Sequence, residues 1–193
     1  AFSIYLRDVK NQSRIKETGV VQFSFDAFFE NRDKVGFKFF KNTEILSNSF
    51  ELANGIKIDK GSYDDLGFAF NARSNQSRTF WGDLNFTRGN YFGGGKTSFI
   101  GSVGRRFSNH LTIYASINQN NIEINDSRFS ANIYGLSSEI AINKKWFIKT
   151  LFQYDNFTNI SQIYIRLNWI HTPGSDLFVV VNEKYNHTDI SQQ

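Results

Sequence analysis

The chain has 193 residues, with 22 Lys and Arg, 18 Asp and Glu and a formal net charge of +4 that is spread without any basic block. This spread disfavours a nucleic-acid-binding surface, because such surfaces cluster their Lys and Arg residues. The 21 Phe, 8 Tyr and 3 Trp against one Pro and no Cys are typical of a strand-rich chain and exclude disulfides and cysteine-based metal sites. No apolar run approaches the roughly 18 residues of a membrane-spanning helix.

Apolar and polar residues alternate from the first residues, as in a strand with two different faces. Phe2, Ile4 and Leu6 form the first apolar row, and residues 21–29 and 35–39 repeat the pattern after polar breaks. Between residues 42 and 65 the alternation weakens. Because Asn54-Gly55 favours a tight hairpin turn, we expect a strand end and a long loop there that holds one or two short strands.

Alternation returns in residues 66–72, 80–86, 97–103, 111–117 and 146–154. In residues 129–135 the apolar row is predicted to be Phe129, Ala131, Ile133 and Gly135. The last hairpin has the clearest pattern, with a Pro173-Gly174 turn between two strands. Its apolar row comprises Ile163, Ile165, Leu167, Trp169, Leu177, Val179 and Val181.

These strands are about ten residues long, which fits a tilted strand that crosses a bilayer, whereas a globular strand averages about six. Only a closed barrel can span a membrane with strands, since no backbone group can be left unpaired in lipid. We therefore predict an all-β fold: a transmembrane antiparallel up-and-down β-barrel of about 12 strands (10–14), either closed or lacking a closing strand. Residues 1–193 are predicted to form this single domain.

Two stretches carry a resemblance to a known family. Residues 166–186, RLNWIHTPGSDLFVVVNEKYN, resemble the carboxy-terminal signature of uncharacterised outer-membrane proteins in which a family-9-type carbohydrate-binding module precedes a domain of unknown function. Residues 151–161, LFQYDNFTNIS, look like a strand and turn of the same proteins. The resemblance implies a Gram-negative outer-membrane barrel of Bacteroidetes type, cut from a longer precursor, with the carbohydrate-binding module outside this chain.

The family also ends with one more strand that closes in an aromatic residue, whereas this sequence stops at NHTDISQQ. The resemblance therefore implies that a strand outside the sequence closes the barrel. No activity is established for the family, so no functional residue is transferred from it.

Catalytic and metal-binding patterns are weak. The three His residues, His110, His171 and His187, lack the partner spacing of metal ligands. Ser108 beside His110 is the only local nucleophile–base pair, and such pairs recur often by chance. We therefore predict no catalytic residue, no metal site and no cofactor.

If the apolar rows face lipid, their polar partners point into a lumen, because charge on the lipid face near the midplane costs about 2–4 kcal/mol. The lumen-facing candidates are Asp83, Arg105, Lys149, Gln153, Arg166 and Asn168. They could set ion or sugar selectivity, or they could fill a narrow barrel as a salt-bridged plug. Trp81, Trp146 and Trp169 are predicted to form interfacial girdles, with stacking on sugar rings as the alternative.

The sequence thus predicts a non-enzymatic outer-membrane β-barrel that acts as a membrane anchor or pore associated with carbohydrate binding or uptake. The alternatives are a passive porin-like diffusion channel, a soluble β-sandwich or β-barrel binding module, and a barrel-embedded hydrolase. The expected partners are the lipid bilayer, a carbohydrate bound by a module outside this chain, and other outer-membrane subunits.

Overall fold

The computed structural model describes residues 1–10, 16–53 and 55–187. Within these ranges the chain forms thirteen β-strands. They are β1 (Phe2–Lys10), β2 (Lys16–Phe28), β3 (Lys34–Leu46), β4 (Phe50–Ala53), β5 (Ile56–Ile58), β6 (Gly61–Arg73), β7 (Phe80–Tyr91), β8 (Gly94–Ser108), β9 (Leu111–Ile124), β10 (Ser127–Ala141), β11 (Trp146–Asp155), β12 (Ile160–Thr172) and β13 (Ser175–Asn186). In the described part of the chain, no helix has the length and apolar character needed to cross a membrane.

Eleven strands form one sheet in the order β1-β2-β3-β6-β7-β8-β9-β10-β11-β12-β13, and β4 pairs with β5 as a separate two-stranded sheet. The order follows the chain, so the sheet is an up-and-down antiparallel meander with one excursion between β3 and β6. It is open, with β1 and β13 at its two ends. The predicted all-β architecture and strand number are confirmed, as are the short strands expected near residues 42–65. Asn54 of the predicted hairpin turn lies outside the described residues.

The chain divides into two compact units. The first unit comprises Ala1–Arg73, Leu84–Phe99 and Asn120–Ser130, and the second comprises Ser74–Asp83, Ile100–Gln119 and Ala131–Gln193. Strands β7 to β10 each contribute to both units, because each is cut by a boundary between these segments.

In the first unit, strand register aligns apolar residues in rows. The row Phe2, Phe25, Phe37 and Phe70 crosses four strands, and Ile4, Phe23, Phe39 and Phe68 form the next row. Ring centroids in the first row lie 4.9 Å apart for Phe2 and Phe25 and 5.0 Å apart for Phe37 and Phe70. Phe39 is 63% exposed, whereas Ala69 on the opposite face is 3% exposed. The apolar face is therefore the exposed one.

The second unit follows the same rule. Its rows include Ile140, Ile148, Leu167 and Val179, and also Leu136, Phe152 and Ile163. Leu136, Phe152 and Val179 are all exposed. We call this surface the apolar face in each unit, and we call the other surface the polar face.

The predicted faces of β10 are wrong. Gly135 pairs with Gln153, and Ile133 pairs with Asp155, so both lie on the polar face, while Leu136 joins Phe152 on the apolar face. Residues 133–136 alternate poorly, and the partner strand β11 decides the register.

A buried apolar cluster is found at one end of the first unit. It consists of Ile56, Ile58, Phe92, Ile122 and Ile124, with Leu46, Leu52, Tyr63, Tyr91 and Phe129 packed around it. The residues come from the β4–β5 hairpin and from the adjoining ends of the long strands. Elsewhere in this unit the apolar rows of the long strands are exposed. The cluster is therefore the place in this unit where large apolar side chains are packed against one another and shielded from solvent.

Candidate functional site

The polar face of the second unit carries a row of charges across three strands. Lys149 pairs with Glu139 on one side and with Arg166 on the other. The Lys149 Nζ atom lies 2.7 Å from Glu139 Oε1, and the Arg166 guanidinium lies 4.2 Å from the centre of the Phe178 ring. The row therefore has two cations for one carboxylate.

Amide groups flank this row on the same face. Gln153 pairs with Gln162, which donates a hydrogen bond of 2.9 Å to Asn182 Oδ1. Asn168 pairs with Phe147, and its buried Oδ1 atom has no hydrogen-bond partner among the described residues. Four of the predicted lumen residues, Lys149, Gln153, Arg166 and Asn168, thus share one face of β11 and β12.

Arg105 lies on the opposite face from the one expected. Gly104 faces Trp81, since a Cβ atom added to Gly104 would lie 2.7 Å from Trp81 Nε1. Strand alternation then places Arg105 with Val103 and Phe107, and its guanidinium lies 4.7 Å from the Phe107 ring centre. Asp83 follows Trp81 by two residues on β7 and shares its face.

Arg106 is a polar-face cation that was not predicted. Its guanidinium lies 5.4 Å from the centre of the Trp81 ring. Continuing the alternation from Val103 in steps of two places Arg105 on the apolar face and Arg106 on the polar face. The sequence pattern alone could therefore have identified Arg106.

The three Trp residues take different positions. Trp146 and Trp169 are directly paired on the apolar face, and their rings stack with centroids 5.4 Å apart. Trp81 is 7% exposed and lies on the polar face, with the Tyr114 ring 5.7 Å away. The girdle role stays a prediction for Trp146 and Trp169. For Trp81 the expected girdle position disagrees with the structure, because girdles flank the outward apolar band and the Trp81 ring is buried on the polar face.

A row of Tyr residues lies at the other end of the same apolar face. Tyr134 pairs with Tyr154, and their rings stack with centroids 6.5 Å apart. On β12 and β13 the row continues through Ser161 and Tyr185. Ser161 Oγ lies 2.8 Å from His187 Nε2. The Tyr residues, which the sequence grouped with the Trp residues as girdle candidates, are scattered along the chain, and only the strand register brings these into one row.

The polar face of the first unit contains an ion pair between Lys34 and Asp26, with 2.9 Å between Nζ and Oδ1. Asp65 is buried further along this face, where its Oδ2 atom accepts a 3.4 Å hydrogen bond from the Phe92 N–H group. On the apolar face, Lys41 and Asp64 form a 2.8 Å ion pair just beyond Leu66, which ends the apolar row.

Two of the site types considered from the sequence, a metal site and a Ser108–His110 nucleophile–base pair, can be checked in the described residues. Among residues 1–10, 16–53 and 55–187, no three His, Cys, Asp or Glu side chains are grouped to hold a metal ion. The His110 ring Nδ1 lies 2.7 Å from the Ala141 carbonyl oxygen, while Ser108 Oγ accepts a hydrogen bond from the His110 backbone N–H group. The imidazole is therefore not aimed at the hydroxyl.

Comparison with known proteins gave few matches. A scan against known protein families and a search of curated proteins found none. Two solved structures, titled "KdgM porin" and "KdgM porin in complex with disordered oligogalacturonate", are similar with a TM-score of 0.40 and identities of 7% and 8%. The match covers 95% of this chain and 91% of each of those chains. A similarity of this size supports no conclusion about fold or function. The resemblance to the carbohydrate-binding-module family stays a prediction.

Proposed function

We propose that the chain forms an outer-membrane β-barrel channel whose apolar faces contact lipid and whose polar faces line a path for hydrophilic solutes. The exposure of the apolar faces carries this proposal. A water-soluble protein gains about 1.5–3 kcal/mol from burying each large apolar side chain. Rows such as Phe23, Phe39 and Phe68 remain exposed, and lipid is the solvent that makes this arrangement stable.

The aromatic residues of the second unit support a membrane location. The Trp146–Trp169 pair and the Tyr134–Tyr154 pair bound the apolar face at opposite ends. Tyr154 is eight positions after Trp146 on β11, which corresponds to about 27 Å along a strand and about 21 Å after a tilt of about 40°. This height is close to the band between aromatic girdles in outer-membrane barrels, about 25 Å.

The lining of the polar face supports a preference for anionic or polyhydroxy solutes. Two cations face one carboxylate in the Glu139–Lys149–Arg166 row, and amides such as Gln153 and Gln162 can both donate and accept hydrogen bonds. Carbohydrate uptake with a partner carbohydrate-binding module is the finer form of the proposal, and its basis is the sequence resemblance. The chemistry is passage of solutes without catalysis.

Closure is part of the proposal. An eleven-stranded meander has its first and last strands, β1 and β13, running in the same direction. Bacterial single-chain barrels have even strand numbers and antiparallel closure. A twelfth strand from outside these eleven would pair with both, and it would leave no backbone group unpaired in lipid.

The test is reconstitution of the detergent-folded protein into planar bilayers. We expect discrete conductance steps and, in a KCl gradient, a reversal potential shifted towards that of chloride. If the bilayers show no conductance although heat-modifiable mobility in detergent shows that the protein is folded, the function is reduced to membrane anchoring. The apolar cluster favours this alternative, because it covers part of the polar face. A monodisperse monomer that folds without detergent would overturn the membrane location.

A further inference from the structure

The β4–β5 hairpin leaves the sheet between two adjacent strands. β3 and β6 are hydrogen-bonded neighbours, yet β4 and β5 lie between them in sequence and form a two-stranded sheet of their own. The other connections within the described residues contain no strands. This connection is therefore a folded hairpin. The face of the sheet on which it lies determines which surface it can cover.

The hairpin cluster lies on the polar side of the sheet. Leu46 and Tyr63 flank the hairpin, and the continuous β3–β6 register places both on the face that holds Asp65 and Ala69. The Phe92 ring of the cluster lies 5.3 Å from the Tyr63 ring. The exposed Leu66 and Phe68 side chains are on the opposite face.

The hairpin also extends across several strands. Ile56 and Ile58 pack with Ile122 and Ile124 near the end of β9, and the Asn125 side chain donates a 3.5 Å hydrogen bond to the Lys57 carbonyl oxygen. Three strand spacings separate β6 from β9 in the sheet order, which corresponds to about 14 Å. The hairpin therefore covers the polar face rather than extending from the strand ends.

Its contacts are those of a fixed element. Ile58 and Ile124 are 2% and 1% exposed and are the largest fully buried side chains of the described residues. The other side of the hairpin is charged and exposed, with Lys57 Nζ 3.8 Å from Asp59 Oδ1. One side is thus anchored and the other faces water.

We propose that the β4–β5 hairpin is a fixed constriction across the mouth of the channel and sets the size limit for solutes. This inference rests on the proposed channel function. Because the sheet face beneath the hairpin is the one that would line the lumen, a solute that enters at this end must pass the charged side of the hairpin.

The experiment compares the wild-type chain with a variant in which residues 49–59 are replaced by a short Gly-Ser linker. Single-channel conductance and exclusion of polyethylene glycols of graded mass are measured in planar bilayers. We expect at least a twofold rise in conductance and entry of larger polymers. Since the deletion can impair folding, Ile58→Ser and Ile124→Ser, which weaken the buried packing of the hairpin, are measured too. We expect both point variants to show intermittent openings to the higher conductance of the deletion variant. Lys144→Gln, in the exposed turn after β10, removes one positive charge away from the hairpin; it is the control and should keep the wild-type size limit.

The outcomes separate the two proposals. A silent wild type beside a conducting deletion variant would overturn the proposed channel function and the size-limiting constriction, because the hairpin would then seal the barrel completely. Equal conductance and equal size limits in the wild-type and deletion proteins would overturn the constriction and leave the channel intact. Silence of both proteins, each shown to be folded by heat-modifiable mobility, would overturn the channel and the constriction together.

Discussion

Lys149 and Arg166 are directly paired residues of β11 and β12 although both carry positive charge. Like charges at such positions destabilise a sheet. The structure offsets the repulsion by pairing Lys149 with Glu139 and by stacking Arg166 on Phe178. Within the described residues Arg166 has no ion pair, so its positive charge is available to an anion on the polar face.

Neutralising Arg166 should weaken anion preference. We expect Arg166→Gln to move the reversal potential in a KCl gradient towards that of potassium, and the double variant with Lys149→Gln to move it further. The reason is that the row would change from two cations and one carboxylate to one of each, and then to a lone carboxylate. The measurement is the reversal potential in planar bilayers at low salt, where screening is weak.

Arg105→Gln provides the matched control for that experiment. Arg105 lies with Val103 and Phe107 on the apolar face, beside the Phe107 ring. Its removal changes the net charge by the same amount but should leave ion selectivity unchanged. Equal shifts for Arg105→Gln and Arg166→Gln would contradict the assignment of the two faces.

Much of the fold could be predicted because alternation is a local signal. The rows through Phe37 and Leu167 follow from residues two apart, and the structure confirms both. Prediction failed where alternation is poor: Gly135 and Leu136 take their faces from pairing with β11. The candidate residues on β11 and β12 were placed on one face correctly, whereas Arg105 was assigned to the wrong strand face by its charge rather than by its position.

The apolar cluster could not be predicted from local pattern. Ile58 and Ile124 are 66 positions apart in sequence. The alternation of apolar and polar residues around each of them is no clearer than in the adjoining stretches of the chain. Their packing depends on the hairpin folding over the polar face, which is a non-local event. The burial of Trp81 has a similar cause, since Gly104 on the next strand provides the space for its ring.

A lysine in the middle of the apolar face should reveal whether lipid contacts it. Phe37 lies between Val35 and Phe39 on the apolar face of β3. We expect Phe37→Lys to lower the free energy of unfolding in lipid vesicles by about 2–4 kcal/mol more than Phe37→Ala. On a water-exposed surface the two variants would differ by only about 0.5 kcal/mol. Reversible urea unfolding followed by fluorescence gives the comparison.

Phe29→Lys is the depth control for that prediction. Phe29 lies in the β2–β3 turn, where its backbone N–H group donates to the Asp33 carbonyl oxygen. Near the membrane surface a lysine costs about 0–1 kcal/mol. Equal losses at positions 37 and 29 would contradict the membrane location of the row.

Asp155 should make the β11–β12 turn sensitive to acid. Burial tends to raise its pKa, but hydrogen bonds from the Thr158 hydroxyl and from the Phe157 and Thr158 backbone N–H groups outweigh this and lower it. A lowered pKa in the folded state stabilises the fold at neutral pH, and this stabilisation is lost as pH falls below about 4. We expect Asp155→Asn to be less stable than the wild type at pH 7, with the difference shrinking towards pH 2.5 in denaturant titrations. A difference that stays constant over this range would contradict the role of the charge.

Gly104 should be intolerant of a side chain because Trp81 occupies the space above it. A Cβ atom there would lie 2.5 Å from Trp81 Cζ2, closer than real Cβ contacts, whereas a Cβ atom on Gly95 of the same strand would meet nothing within 4 Å. We expect Gly104→Ala to lower the free energy of unfolding by about 1–3 kcal/mol and Gly95→Ala to have little effect. In a background with Trp146→Phe and Trp169→Phe, the emission of Trp81 should shift and its quenching by acrylamide should increase only in Gly104→Ala. If both alanine variants leave the emission unchanged, Trp81 does not lie over Gly104, and its burial on the polar face would be contradicted.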